Sequence, residues 1–186
     1  MKNLKTTLAA AALTLISLSA SATTFNFSYS FDPADTGDGN PVVLTGSFSG
    51  TQLGALITGI ANFQVSLNGA AFSGPLQVEA WNYTTSNWDP ATTPVISTDV
   101  AQTNFVVADA DVSTNPAGVS NYFYISGGQA VAVTFNMTDA GNNPLEGVGT
   151  ASNANWSVTA VPEPANAALL MAGLGVVGLL ARRRQS

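Results

Sequence analysis

Asp109 and Asp111 stand two apart in the run VVADADVS. On a strand, side chains at i and i+2 share a face, so the two carboxyls are close enough to couple. Paired carboxylates are what glycoside hydrolysis uses, with the groups about 5 to 9 Å apart and one pKa raised. A second acidic stretch, DPADTGDGN, places Asp32, Asp35 and Asp38 at intervals of three on a glycine-containing turn. Hard oxygen ligands on such a turn suit Ca²⁺, although the spacing is not that of an EF-hand and no Glu closes the loop. A third stretch, WNYTTSNWDP, sets Trp81, Tyr83 and Trp88 among amides and hydroxyls. Aromatic faces beside neutral polar groups suit uncharged sugars. Each stretch also has a plainer reading. These are a strand entering a solvated loop, a solvated turn between the first two strands, and core aromatics beside a polar hairpin.

The residue types that are missing narrow the chemistry further. The 186-residue chain has no Cys and no His, and its five Lys and Arg residues are Lys2, Lys5, Arg182, Arg183 and Arg184. From Thr23 to Val161 there are ten Asp and Glu and no base, so that stretch carries −10 against −6 for the whole chain. A Ser-His-Asp triad, a Ser-Lys dyad and a thiol nucleophile are all excluded. So are a disulfide framework, a usual zinc site and a P-loop. Nucleic acid is not a partner, because nothing in the body neutralises phosphate. A hydrolase would also lack the Arg, His or Lys that surround a bound sugar. The body is therefore expected to be non-enzymatic, with no cofactor beyond the calcium that the acidic turn would take.

Strands must position these residues. In TFNFSYSF, Phe25, Phe27, Tyr29 and Phe31 alternate with Asn26, Ser28 and Ser30. ANFQVSL alternates Phe63, Val65 and Leu67, and Asn68-Gly69 then supplies a type I′ hairpin turn. PLQVEAWNY sets Leu76, Val78 and Ala80 against Gln77, Glu79 and Trp81. NFVVAD, NYFYIS, AVAVTFNMT and NWSVTA add further short runs, and no segment shows a helical stripe. The expectation is an all-β domain over residues 23–160, an antiparallel β-sandwich of jelly-roll-like form. All sixteen aromatics lie there, enough for a core without disulfides.

Both ends read as addresses. Lys2 and Lys5 precede a short apolar run, Leu8 to Leu18, and Ala20-Ser21-Ala22 fits a small-x-small cleavage site. Residues 1–22 are thus expected to be a signal peptide, leaving Thr23 as the first mature residue. At the other end, Val161-Pro162-Glu163-Pro164 leads into 17 uncharged residues, Ala165 to Ala181, and then Arg182-Arg183-Arg184. At 1.5 Å per residue the run spans about 26 Å, near the lower limit for a bilayer crossing. It is apolar all round, and its basic end belongs on the cytoplasmic side. The prolines lack N–H donors, so a helix cannot propagate back past Pro164.

The order of these parts resembles the PEP-CTERM sorting signal of Gram-negative bacteria. The resemblance covers residues 161–186: the motif at 161–164, the span at 165–181 and the basic end at 182–184. It implies a precursor held transiently in the inner membrane. It also implies processing near Pro162, Glu163 and Pro164 by a membrane enzyme, exosortase, and delivery to the cell surface or the extracellular matrix. Such tails often accompany exopolysaccharide and biofilm production, so exopolysaccharide is an implied partner. The tail says little about the body. The expected role is structural or adhesive, with a glycan-binding module at Trp81, Tyr83 or Trp88 as the first alternative and a carboxylate-dependent hydrolase as the second.

Overall fold

The computed structural model describes residues 22–139, 141–162 and 172–173. The described residues form twelve strands: β1 (Thr23–Phe31), β2 (Val42–Leu53), β3 (Leu56–Leu67), β4 (Ala70–Ala71), β5 (Gln77–Asn82), β6 (Asn87–Asp89), β7 (Ile96–Ser97), β8 (Phe105–Ala108), β9 (Asn121–Ser126), β10 (Gln129–Thr138), β11 (Pro144–Thr150) and β12 (Trp156–Ala160). Short 3₁₀ turns occur at Pro33–Asp35, Val100–Gln102 and Pro116–Gly118. The all-β, antiparallel character expected from the alternation is present. One six-stranded sheet runs β12-β1-β2-β3-β4, with β7 also paired to β3, and the other runs β11-β10-β9-β8-β5-β6. Neighbours in both sheets are antiparallel.

The period-two alternation of β1 builds the centre of the first sheet. Phe25, Phe27, Tyr29 and Phe31 are all buried in one apolar cluster with Leu44, Phe48 and Trp156. The same cluster takes Phe105, Val107, Phe123 and Ile125 from the second sheet. The ring of Phe27 lies 6.2 Å from that of Phe123, with their planes 11° apart. The Trp156 indole N–H donates to the Ser97 carbonyl at 2.7 Å, so its one polar atom is satisfied inside the core.

The hairpin expected at Asn68-Gly69 joins β3 to β4, with Leu67 opposite Ala70. Both turn residues have positive φ, 46° and 86°. That is what a two-residue type I′ turn requires and why Asn-Gly suits it.

Ala20 of the expected cleavage site, Glu163, Pro164 and Arg182 to Arg184 lie outside the described residues, as does the span 165–181 apart from residues 172–173. Ala22 is exposed, and Thr23 opens β1. Among the described residues no helix is long and apolar enough to cross a membrane.

Candidate functional site

The outer face of the second sheet departs from the usual solvated pattern. Phe105 and Val107 of β8 face the core, which turns Val106 and Ala108 outward. Register places Tyr124 opposite Val106 and Tyr122 opposite Ala108. Val131 and Val133 of β10 pair with the same two tyrosines. On the other flank Trp81 of β5 pairs with Trp88 of β6. Directly paired residues share a face, so four rings and a row of valines lie together on the side away from the core.

The rings form a connected row. Trp81 and Trp88 meet edge to face at 5.3 Å and 80°, and Trp88 lies 5.3 Å from Tyr124 at 57°. Tyr122 and Tyr124 are close to parallel, 7° apart with centroids at 6.4 Å. One cleft of about 240 Å³ is lined by Trp81, Tyr83, Trp88, Tyr124, Ser126, Gly127 and Gln129. A second, of about 260 Å³, is lined by Trp88, Val106, Val112, Pro116, Val119, Tyr122 and Tyr124. The structure thus brings Trp81, Tyr83 and Trp88 to one cleft, as a sugar site would need. Within the row the two indoles are crossed, and the parallel pair is Tyr122 and Tyr124. Those tyrosines lie in NYFYIS, legible in the sequence only as a short strand, with Tyr122, Phe123 and Tyr124 consecutive. Nothing local marked them as outward-facing, because their strand's other residues, Phe123 and Ile125, take the core.

Local hydrogen bonds hold the row in place. Asn104 clamps the Trp81 backbone on both sides: its carbonyl oxygen accepts from Trp81 N–H at 3.1 Å, and its amide donates to Trp81 C=O at 3.0 Å. The Ser126 hydroxyl donates to the same Asn104 oxygen at 3.0 Å and lies 3.2 Å from the Tyr83 hydroxyl. In the β5–β6 hairpin, Asn82 accepts from Thr84 N–H and Thr85 N–H and donates to Asp89. Tyr83 is the outlying ring, 64% exposed at the hairpin tip. Burial raises the pKa of both Tyr122 and Tyr124 above the ordinary value of 10.0, so their phenols stay neutral through the physiological range.

The loop from Asp109 to Ser120 walls the second cleft, and acids close it. Asp109 accepts from Ser120 N–H at 2.9 Å and from the Asn121 amide at 2.6 Å. Asp111 accepts from the Ser113 hydroxyl at 2.8 Å and from Thr114 N–H at 2.7 Å. These hydrogen bonds hold the Asp111 carboxyl below its ordinary pKa. Both carboxylates therefore serve the loop.

Glu79 sits beneath them. The alternation of β5 predicts it on the outer, polar side. It is on that side but only 2% exposed, because the loop covers it. One carboxyl oxygen accepts from Val112 N–H at 2.7 Å, while Oε2 is buried without a partner. Desolvation raises its pKa, opposed by the Val112 hydrogen bond and reinforced by the neighbouring Asp111.

Asp32, Asp35 and Asp38 do not assemble as the sequence spacing suggests. Asp32 precedes the 3₁₀ turn and Asp35 lies within it. Asp38 accepts from the backbone and side chain of Asn40. Among the described residues no three acidic side chains converge as a metal site would require.

The last strand leads directly into the C-terminal segment. Ala160 pairs with Phe25, and Val161 N–H donates to the Thr24 carbonyl at 2.8 Å. Pro162, which has no N–H to offer, follows at once and is exposed. Residues 160–185 match the family model of the PEP-CTERM protein-sorting motif. The chain carries a PEP-CTERM sorting motif. Its first residue is the last residue of β12, so the sorting segment begins where sheet pairing stops. No curated protein and no solved structure is similar to the chain.

Proposed function

We propose that this PEP-CTERM protein is exported, held in the inner membrane by residues 165–181, processed by an exosortase-type enzyme and delivered to the cell surface or extracellular matrix. The observation that carries this reading is the sorting motif, which begins at Ala160, the last residue of β12. The two prolines of the motif lack N–H donors and disfavour helix, which suits a protease that needs an extended substrate. The body is read as a β-sandwich with a structural or adhesive, non-enzymatic role and exopolysaccharide as its partner. Its acids support that reading, since Asp109 and Asp111 accept hydrogen bonds that close a loop. A glycan-binding role is favoured over a hydrolytic one by the ring row of Trp81, Trp88, Tyr124 and Tyr122.

Mass spectrometry of protein recovered from the cell surface and the medium tests the delivery reading. The expected released form begins at Thr23 and lacks the residues that follow the Pro-Glu-Pro motif. Recovery of a released form intact through Ser186 overturns processing. Replacing Pro162, Glu163 and Pro164 together by alanine is expected to leave the protein in the membrane fraction.

A further inference from the structure

We propose that the outer face of the second sheet binds an uncharged glycan chain across two adjoining subsites, and that the second subsite selects a sugar carrying an acetyl or methyl group. The proposal deepens the adhesive reading above and rests on it for the presence of glycan at the protein's destination. Two observations carry the extended form. Trp88 and Tyr124 line both clefts, so they are the shared wall between two neighbouring sites. Neither cleft alone matches the 300 Å³ lower bound usual for a drug-sized ligand, whereas together they hold consecutive units of a chain.

The chemistry of the walls sets the ligand class. No Lys, Arg or His occurs between Thr23 and Val161, so nothing in the body pairs with a carboxylate, sulfate or phosphate on a sugar. Ring faces instead offer stacking to the C–H face of a pyranose, at low conformational cost because the rings are already packed against one another. The two subsites then differ. The first has a polar rim made by Tyr83, Ser126 and Gln129, which can meet hydroxyls. The second is lined by Trp88, Tyr122 and Tyr124 and otherwise walled by Val106, Val112, Pro116 and Val119. A bare hydroxyl there has only the Tyr122 and Tyr124 phenols and the Trp88 indole to replace its water, while an acetyl methyl gains apolar contact with the four aliphatic side chains.

The test compares chitohexaose with cellohexaose, which share a β-1,4 backbone and differ in the N-acetyl groups. The full-length chain, purified in mild detergent, is titrated and followed by tryptophan fluorescence. Trp156 is buried in the core, so a change reports Trp81 and Trp88. Chitohexaose is expected to bind about tenfold more tightly than cellohexaose, and both more tightly than the free monosaccharides. Alginate, a polyanion, is expected not to compete. Trp88→Ala and Tyr124→Ala are each expected to weaken chitohexaose binding about tenfold or more. Val119→Asp changes only the covering loop, so it keeps the test valid if the ring variants fail to fold. It is expected to abolish the preference for chitohexaose over cellohexaose.

Absence of binding by either hexaose overturns the site, as does binding unchanged in Trp88→Ala or competition by alginate. Equal or tighter binding of cellohexaose, or a preference that survives Val119→Asp, overturns the assignment of the second subsite. The delivery reading is scored separately by the surface recovery of the same variants. Delivery without binding refutes this proposal, and binding by a chain that is never delivered refutes the delivery reading.

Discussion

At the scale of single residues, the absence of cations determines what the acids do. A carboxylate with no base available must be satisfied by N–H and O–H donors or remain in water. Asp89 and Asp99 are held below their ordinary pKa of 3.8 mainly by side-chain amides, from Asn82 and Gln102 respectively. Asp139 accepts from Gly141 N–H and Asn143 N–H, each at 2.8 Å. The acids act as turn clasps. Glu79 has the opposite electrostatics, with burial and Asp111 both favouring its neutral form. The signs give a pH profile. Depressed Asp groups contribute stability above their unfolded pKa, and it is lost as pH falls below about 3.8 through their folded values. Glu79 binds its proton more tightly when folded, so it lowers stability as pH rises from 4.5 through its folded value. Stability followed by denaturant unfolding is expected to peak between these windows. Glu79→Gln keeps an acceptor for Val112 N–H and adds a donor where Oε2 is unpartnered. It is expected to flatten the decline above pH 4.5 and to exceed the native chain in stability at pH 7. A profile unchanged by Glu79→Gln contradicts this account of the acid.

At the scale of elements, side-chain period explains most of the strands, and close packing explains their gaps. Phe25, Phe27, Tyr29 and Phe31 were legible as an inward row because β1 sits mid-sheet and has one dry face. Gly46 of β2 is different. A Cβ there would stand 2.6 Å from the Phe27 ring and closer still to the Gln64 carbonyl, so the glycine is the space that the ring and the next strand occupy. Gly147 of β11 plays the same part for Phe31. Gly46→Ala is expected to cost about 1–3 kcal/mol by overpacking, measured as a lowered thermal midpoint with secondary structure retained. The β5–β6 hairpin was legible as a strand and a polar turn. That its Trp81 would be fixed by Asn104, 23 positions away, was not, because the contact depends on how β5 lies beside β8.

At the scale of the whole molecule, the two sheets turn different faces outward. The first presents Asn26, Ser28, Ser47, Gln64 and Thr159 around a broad, uncharged trough of about 700 Å³. The second presents partly exposed rings, among which Val106, Val131 and Val133 are buried. Neither outer face carries a basic side chain, so association with a neutral glycan gains nothing from charge pairing and should vary little with ionic strength. Chitohexaose affinity is expected to change less than about twofold between 20 mM and 500 mM NaCl, whereas a charge-driven contact would weaken markedly. Titration at the two salt concentrations decides the matter.

The amino-acid sequence by itself determined the class of strand, the aromatic core, the exclusion of triad, thiol and phosphate-binding chemistry, and the sorting motif. Composition and local period carry those properties, and neither needs a neighbour. Only the tertiary structure decided that Asp32, Asp35 and Asp38 stay apart, that Asp109 and Asp111 clasp a loop, that this loop buries Glu79, and that Tyr122 and Tyr124 complete the row begun by Trp81 and Trp88. The physical reason is sheet order. Period two says that alternate residues face opposite ways, but which strands lie side by side, and which face a loop covers, are set by pairing between distant segments.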